Sequence, residues 1–206
     1  IYVDYNGNRY VNEGDRRDVC ANAAVNTGFV STYAIFTEPV VAGYVRPEEI
    51  EAGIADGRIL KADTLDELAE KINGFEVKGM FPTVTGDNLK ATIEKHNGYI
   101  DNGEDLDFHK VMASTMVKIE EGPYYALPQF PSVHHTMGGL VIDTMTRVLD
   151  IYGQPIEGLY AAGEVTGGVH GTNRLGSNAD ADACGFGYIS GIVVATGELP
   201  DFIPAE

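Results

Sequence analysis

Cysteine is scarce in this 206-residue chain, which holds only Cys20 and Cys184. They lie far apart, with no Cys-x-x-Cys pair and no His/Cys cluster beside either. A disulfide framework or a metal site of the zinc type is therefore not expected. Positive charge is also short: 14 Lys and Arg stand against 31 Asp and Glu, a formal net charge of -17. A surface of that sign repels phosphate backbones and anionic lipid, which argues against nucleic acid or an anionic membrane as partner. Any anionic small molecule would need a locally positive pocket. Acidity alone is ordinarily a solubility feature. No apolar run is long enough for a transmembrane segment, and no signal-peptide pattern opens the chain. Localisation is left open. No Gly-x-Gly-x-x-Gly follows a strand, so the usual cradle for a pyrophosphate is missing. The chain begins directly on an alternating strand, Ile1-Tyr2-Val3-Asp4, and on that ground reads as a piece of a longer product.

What is present suffices for a globular core. The hydrophobic fraction is 44%, and the length suits one domain or two small ones. Residues 1–12 read as a hairpin turning at Asn6-Gly7-Asn8, because Asn and Gly both accept positive φ. A polar loop then leads into an alanine-rich helix, and 33–36 reads as a strand. Thr64-Leu65-Asp66-Glu67 is a capping box, opening a helix with Leu65, Leu68 and Ile72 on one face. A second helix is expected over 87–97, burying Leu89 and Ile93, with 99–107 as a solvent loop. Near 128–133 the texture changes from charged helices to glycine-rich turns and short apolar strands. Segments 140–143 and 148–150 should pair around a turn. Residues 158–164 read as a buried strand ending in a carboxylate, and a last helix should run from Asn178 to Gly197.

Four segments carry chemistry. The strand ending Ala-x-Gly-Glu places Glu164 where it can accept hydrogen bonds from a sugar or ribityl chain, although a strand-end acid is more often solvated. Gly167-Gly168-Val169-His170-Gly171-Thr172-Asn173-Arg174-Leu175-Gly176-Ser177-Asn178 sets an arginine among glycines just before a helix. Such glycines permit close packing against a flat ligand, and the helix start offers free N–H groups. A plain glycine-rich linker is the competing reading. In Val133-His134-His135-Thr136-Met137-Gly138-Gly139, neighbouring histidines on a strand face opposite sides, one toward a substrate and the other toward a cofactor or the protein behind it. A zinc reading lacks further ligands at suitable spacing. Arg16-Arg17-Asp18, taken alone, suits a surface salt bridge equally well.

Taken together, these segments resemble the soluble fumarate reductases of the flavocytochrome c type and their urocanate and other enoate reductase relatives. More distantly, they resemble the flavoprotein subunits of succinate dehydrogenase and L-aspartate oxidase. The likeness begins at Gly7-Asn8-Arg9-Tyr10-Val11-Asn12-Glu13 and is strongest in His134-His135-Thr136-Met137-Gly138-Gly139 and over 163–178. It implies an α+β architecture: residues 1–130 as a capping domain, and 131–206 as the C-terminal part of an α/β FAD-binding domain.

The resemblance also implies roles. FAD would be the cofactor, with most of its site contributed by an upstream half of the same protein. A flavin hydride would pass to one carbon of a C=C bond conjugated to a carboxylate, and Arg17 would protonate the neighbouring carbon, with Arg16 as the fallback. His134 and Arg174, helped by the backbone at Ser177, would grip the substrate carboxylate. His135, Glu164, Ala179 and Asp180 would contact the flavin. Arg17 and the clamp would meet across a cleft between the domains. An electron-donor domain or protein is implied as a partner. The substrate would be fumarate, urocanate or another unsaturated acid, or the chain would be a non-catalytic module. A ketosteroid dehydrogenase would need a tyrosine acid in place of this clamp. Asp180 and Ala181 depart from the family pattern where the last helix meets the flavin.

Overall fold

The computed structural model describes residues 1–28, 31–75 and 81–201. The chain divides into two compact units, Ile1–Pro131 and Ser132–Glu206.

In the first unit, β1 (Tyr2–Val3) leads through the turn at Gly7 to helix α1 (Arg17–Asn26), followed by β2 (Thr32–Thr37), α2 (Glu38–Val41) and α3 (Pro47–Ala55). Then come β3 (Leu60–Ala62), α4 (Leu65–Asn73), α5 (Gly86–Asn102) and β4 (Tyr124–Gln129). The strands form one antiparallel sheet in the order β1-β2-β4-β3, with Ala126 opposite Ile35 on one side and Leu60 on the other. Val3, Tyr33 and Ile35 of the sheet share a core with Leu68 and Ile72 of α4 and with Leu89 and Ile93 of α5.

Local chemistry accounts for most boundaries. Asp4 Oδ1 accepts from the N–H groups of Asn6 and Asn8, and Gly7 sits at φ +89°, so the first turn is an Asp-closed loop. Its expected second strand shrinks to a single bridge, Val3 to Arg9, because the Arg9 side chain is drawn into a buried charge cluster. The Thr64 hydroxyl accepts from Glu67 N–H, while the Glu67 carboxylate reaches back to Asp63 N–H, one residue earlier than a strict capping box. Helix α5 outruns the expected 87–97. Leu89, Ile93, His96 and Tyr99 form one buried stripe, and that burial carries the helix past Gly98 to a left-handed stop at Gly103.

The charge cluster explains the Gly-x-Arg segment of the sequence. Arg9 grips Glu13 with two hydrogen bonds of 2.7 and 3.0 Å, Lys110 donates to Glu13 at 3.0 Å, and Asp105 lies 2.7 Å from Arg9. Burial pushes the Glu13 carboxyl up, but the Arg9 hydrogen bonds and nearby cations outweigh it and hold its pKa at about 2. Burial likewise lowers His96 to about 4, with Arg9 and Lys110 adding to the effect. Both groups bind more protons unfolded than folded, so stability is lost as pH falls: from 6.5 toward 4 through His96, and from 4.5 toward 2 through Glu13. Each contributes roughly 3 kcal/mol. Thermal unfolding followed across this range should show the loss, and His96→Gln should flatten its upper part.

In the second unit, β5 (Arg147–Leu149) pairs antiparallel with β6 (Pro155–Tyr160), followed by a 3-10 turn at Gly163–Val165 and helix α6 (Asn178–Thr196). The expected pairing of 140–143 with 148–150 is present as the Ile142–Val148 bridge around a turn held by Asp143. The expected buried strand over 158–164 is a correction. The strand ends at Tyr160, and its apolar residues are open, Ile156 at 41% and Leu159 at 42% exposure. A two-stranded sheet has no second layer to cover it. Helix α6 has the same character: its sequence is apolar all round, yet only Asp182 and Val193 are buried.

Candidate functional site

Two backbone stretches in the second unit are pressed together by glycines. Leu140 N–H donates to Val165 O at 2.9 Å, and Gly167 N–H donates to Leu140 O at 3.0 Å. A Cβ on Gly139 would lie 2.3 Å from Val165 O, and one on Gly167 would lie 2.6 Å from Gly139 N, so neither position tolerates a side chain. This contact fixes the His134–His135 segment beside the 3-10 turn that carries Glu164. Glu164 Oε1 accepts from Thr136 N–H at 2.8 Å, while His135 Nε2 lies 4.0 Å from Oε2. The Thr136 N–H, with His135 and Arg174 nearby, holds the Glu164 carboxyl below its ordinary range.

The two histidines face opposite ways, although the segment is extended loop and no strand forms there. His134 is exposed, whereas the side chain of His135 is 5% exposed and its ring meets the ring of His170 edge-on, with centroids 5.3 Å apart. Both ring nitrogens of His135 are buried and, among the described residues, neither makes a hydrogen bond. His170 in turn is hydrogen-bonded through Nε2 to Asp182 Oδ2 of α6 at 3.1 Å. His170 lies in one of the segments read from the sequence, but neither it nor Asp182 is given a site role there. Only the phase of α6 turns Asp182 inward, and twelve residues separate it from its histidine.

Arg174 is 7% exposed. Its Nη1 donates to the carbonyl of Leu175, and its Nε is buried with no hydrogen-bond partner among the described residues. A guanidinium in that state is costly unless something answers it. Ser177 follows in a left-handed conformation, φ +66°, as the residue preceding α6, and its side chain caps nothing. Ala179 is half-buried and Asp180 exposed, both on the first turn of α6. The second unit thus brings His135, Glu164 and Arg174 together, with Ser177, Ala179 and Asp180 at the start of one helix.

Arg17 belongs to the first unit. The Glu13 cluster anchors the preceding turn, in which Asn12 accepts from Gly14 N–H, and Arg17 is the first residue of α1, exposed and with no side-chain hydrogen bond or ion pair among the described residues. Arg16 differs in more than facing, since Asp18 holds it at 2.6 Å. A separate cavity of about 230 Å³, lined by Arg9, Thr92, Lys95 and His96 among others, contains none of the expected site residues. Among the described residues no helix is long and apolar enough to cross a membrane.

Residues 1–179 match the family model described as FAD binding domain. NADH:acrylate oxidoreductase of Vibrio harveyi is 45% identical over 193 residues, covering 93% of this chain and 18% of that protein. The open conformation of a flavocytochrome c3 fumarate reductase matches with a TM-score of 0.66 at 35% identity, over 93% of this chain and 31% of the other. The 3-ketosteroid delta1-dehydrogenase from Sterolibacterium denitrificans shares the fold with a TM-score of 0.70 at 25% identity, over 96% and 39%. The chain therefore spans between 18% and 39% of the length of these three proteins. With the family model covering most of its length, this chain belongs to the FAD binding domain family, and it resembles the fumarate reductase-type flavoproteins within it.

Proposed function

We propose that this chain is the substrate-gripping and proton-donating part of an FAD-dependent reductase that saturates the C=C bond of a small unsaturated carboxylate. The observation that carries the reading is the buried, partly unanswered guanidinium of Arg174, set among glycines just before α6 and near enough to Glu164 to join the Thr136 N–H and His135 in holding its carboxyl below the ordinary range. In a chain of charge -17, a built-in buried cation of this kind suits an anionic ligand.

The residues present fit FAD. Neither ring nitrogen of His135 makes a hydrogen bond among the described residues, Glu164 offers an acceptor, and α6 opens on the small Ala179 and the acidic Asp180, although the Asn178 and Asp180 amides are already taken by Leu175 O and Ser177 O. On this reading these four residues hold the cofactor, which supplies the hydride when bound. His134 and Arg174, with the Ser177 backbone, orient the substrate carboxylate. The Arg174 guanidinium draws electron density from the double bond and stabilises the charge that develops on the carboxylate side. Arg17 gives a proton to the carbon next to the one receiving hydride, and the product is the saturated acid. The residues over 1–130 serve as the capping domain and those over 131–206 as a returning part of the FAD domain. The rest of that domain and an electron donor lie outside this chain. Covering by that missing part explains why β6 and α6 carry apolar residues on open faces.

Two measurements test the reading. The isolated chain mixed with FAD should quench flavin fluorescence weakly and without stoichiometry, and should show no turnover; tight one-to-one binding contradicts the division of the site. The flavin-loaded protein that contains this chain, supplied with a reduced dye, should reduce fumarate, acrylate or urocanate. The likeness to a ketosteroid dehydrogenase supplies the second reading, and turnover of a 3-ketosteroid with none of these acids would establish it instead. The clamp residues favour the acids.

A further inference from the structure

One buried polar pair in the second unit, Asp182 with His170, has no role in the carboxylate clamp as described. Their side chains are 2% and 11% exposed, and Asp182 Oδ2 meets His170 Nε2 at 3.1 Å, while Asp182 Oδ1 has no hydrogen-bond partner among the described residues. Asp182 stands on α6, the longest regular element of its unit. His170 stands in the turn bearing Gly167, Gly168, Gly171 and Gly176, four residues before Arg174. Glycine-rich backbone has the most conformational freedom to lose, so a guanidinium held in such a turn wanders unless the turn is tied to something rigid. His170 also meets His135 edge-on, rings 81° apart, and His135 adjoins His134. One carboxylate on α6 therefore reaches, through one imidazole, both segments that bear the clamp.

We propose that Asp182, acting through His170, is a positioning residue for the substrate clamp, fixing the Arg174 turn directly and the His134 segment through the His170–His135 contact. This rests on the reading of His134 and Arg174 as carboxylate ligands. Asp182 touches no reacting atom in this scheme; it sets where the two clamp side chains stand. Positioning of this kind has large consequences, because a displacement of about 1 Å at a site costs on the order of 100-fold in rate.

The test compares Asp182→Ala, Asp182→Asn and His170→Gln in the flavin-loaded protein that contains this chain. With fumarate and acrylate as probes, Asp182→Ala should raise KM by about 10- to 100-fold while kcat moves much less, in keeping with a clamp that is loosened rather than removed. His170→Gln should act in the same direction. Asp182→Asn keeps an acceptor oxygen for Nε2 and should recover most of the KM. Lower flavin content or a lower Tm with unchanged KM in the loaded fraction would mean a merely structural pair, and would overturn the proposal. Hydrogen exchange supplies a readout independent of substrate: Asp182→Ala should speed exchange at both 134–137 and 168–176 by about tenfold or more, leaving the middle of α6 protected. Unchanged exchange in either segment also overturns it. If the wild-type protein reduces no unsaturated acid, the clamp reading fails, and the exchange result alone decides whether the anchor exists.

Discussion

Arg17→Gln in the flavin-loaded protein is expected to lower kcat for unsaturated acids by roughly 100-fold to 10,000-fold, the range general acid catalysis supplies, with KM changed far less. Two features of the first unit point to Arg17 over Arg16. Arg16 spends its guanidinium on Asp18, with hydrogen bonds of 3.1 and 2.6 Å, whereas Arg17 makes no such commitment among the described residues. Both also stand at the start of α1, where the positive end of the helix dipole disfavours a cation by a few tenths of a kcal/mol or more. Asp18 offsets that cost for Arg16 alone. A second arginine there does nothing for the helix, so its presence calls for another explanation, and proton delivery supplies one. Arg16→Gln is the control and should retain activity within several-fold. If Arg16→Gln abolishes turnover while Arg17→Gln spares it, the assignment passes to Arg16.

The second large effect is expected at Arg174. Arg174→Lys should lose roughly 100- to 1,000-fold in kcat/KM, the cost of removing one preorganised charge-stabilising group. Lysine keeps the charge but not the fork that meets a planar carboxylate, so the conservative change should not rescue. Because Arg174 is buried and donates to the Leu175 carbonyl, a disturbed turn would also lower activity. Flavin content and thermal unfolding of the variant separate the two causes. A variant that keeps its flavin and its Tm but loses kcat/KM supports the clamp. Equal kcat/KM in a folded variant removes Arg174 from the substrate site.

Much of the local structure was written plainly in the chain. Thr64 and Glu67 announce α4, Asn6-Gly7 announces the first turn, and the left-handed glycine at 197 ends α6, because each depends on neighbours within a few residues. The opposed facing of His134 and His135 follows in the same way from an extended backbone. Elements whose extent depends on distant partners were not legible. Helix α5 gains its last turn because Tyr99 finds a buried place, against the local signal of Gly98 and a polar stretch. The apolar run at 158–164 reads as buried, but among the described residues no layer covers β6.

The site shows the same division. The sequence alone supplied the glycines, the paired histidines, Arg17 and Arg174, since each belongs to a short segment whose residue types are unusual for a surface loop. It also established the acidity that makes a buried cation conspicuous. Only the tertiary structure decided that Arg9 and Glu13 form a buried ion pair supporting the approach to Arg17, that Arg16 is tied to Asp18, and that Asp182 turns inward to meet His170. The reason is one of range. Turn and cap preferences act between neighbours along the chain, whereas the partner of a buried charge is chosen by desolvation, which a residue meets only once the rest of the fold has closed around it.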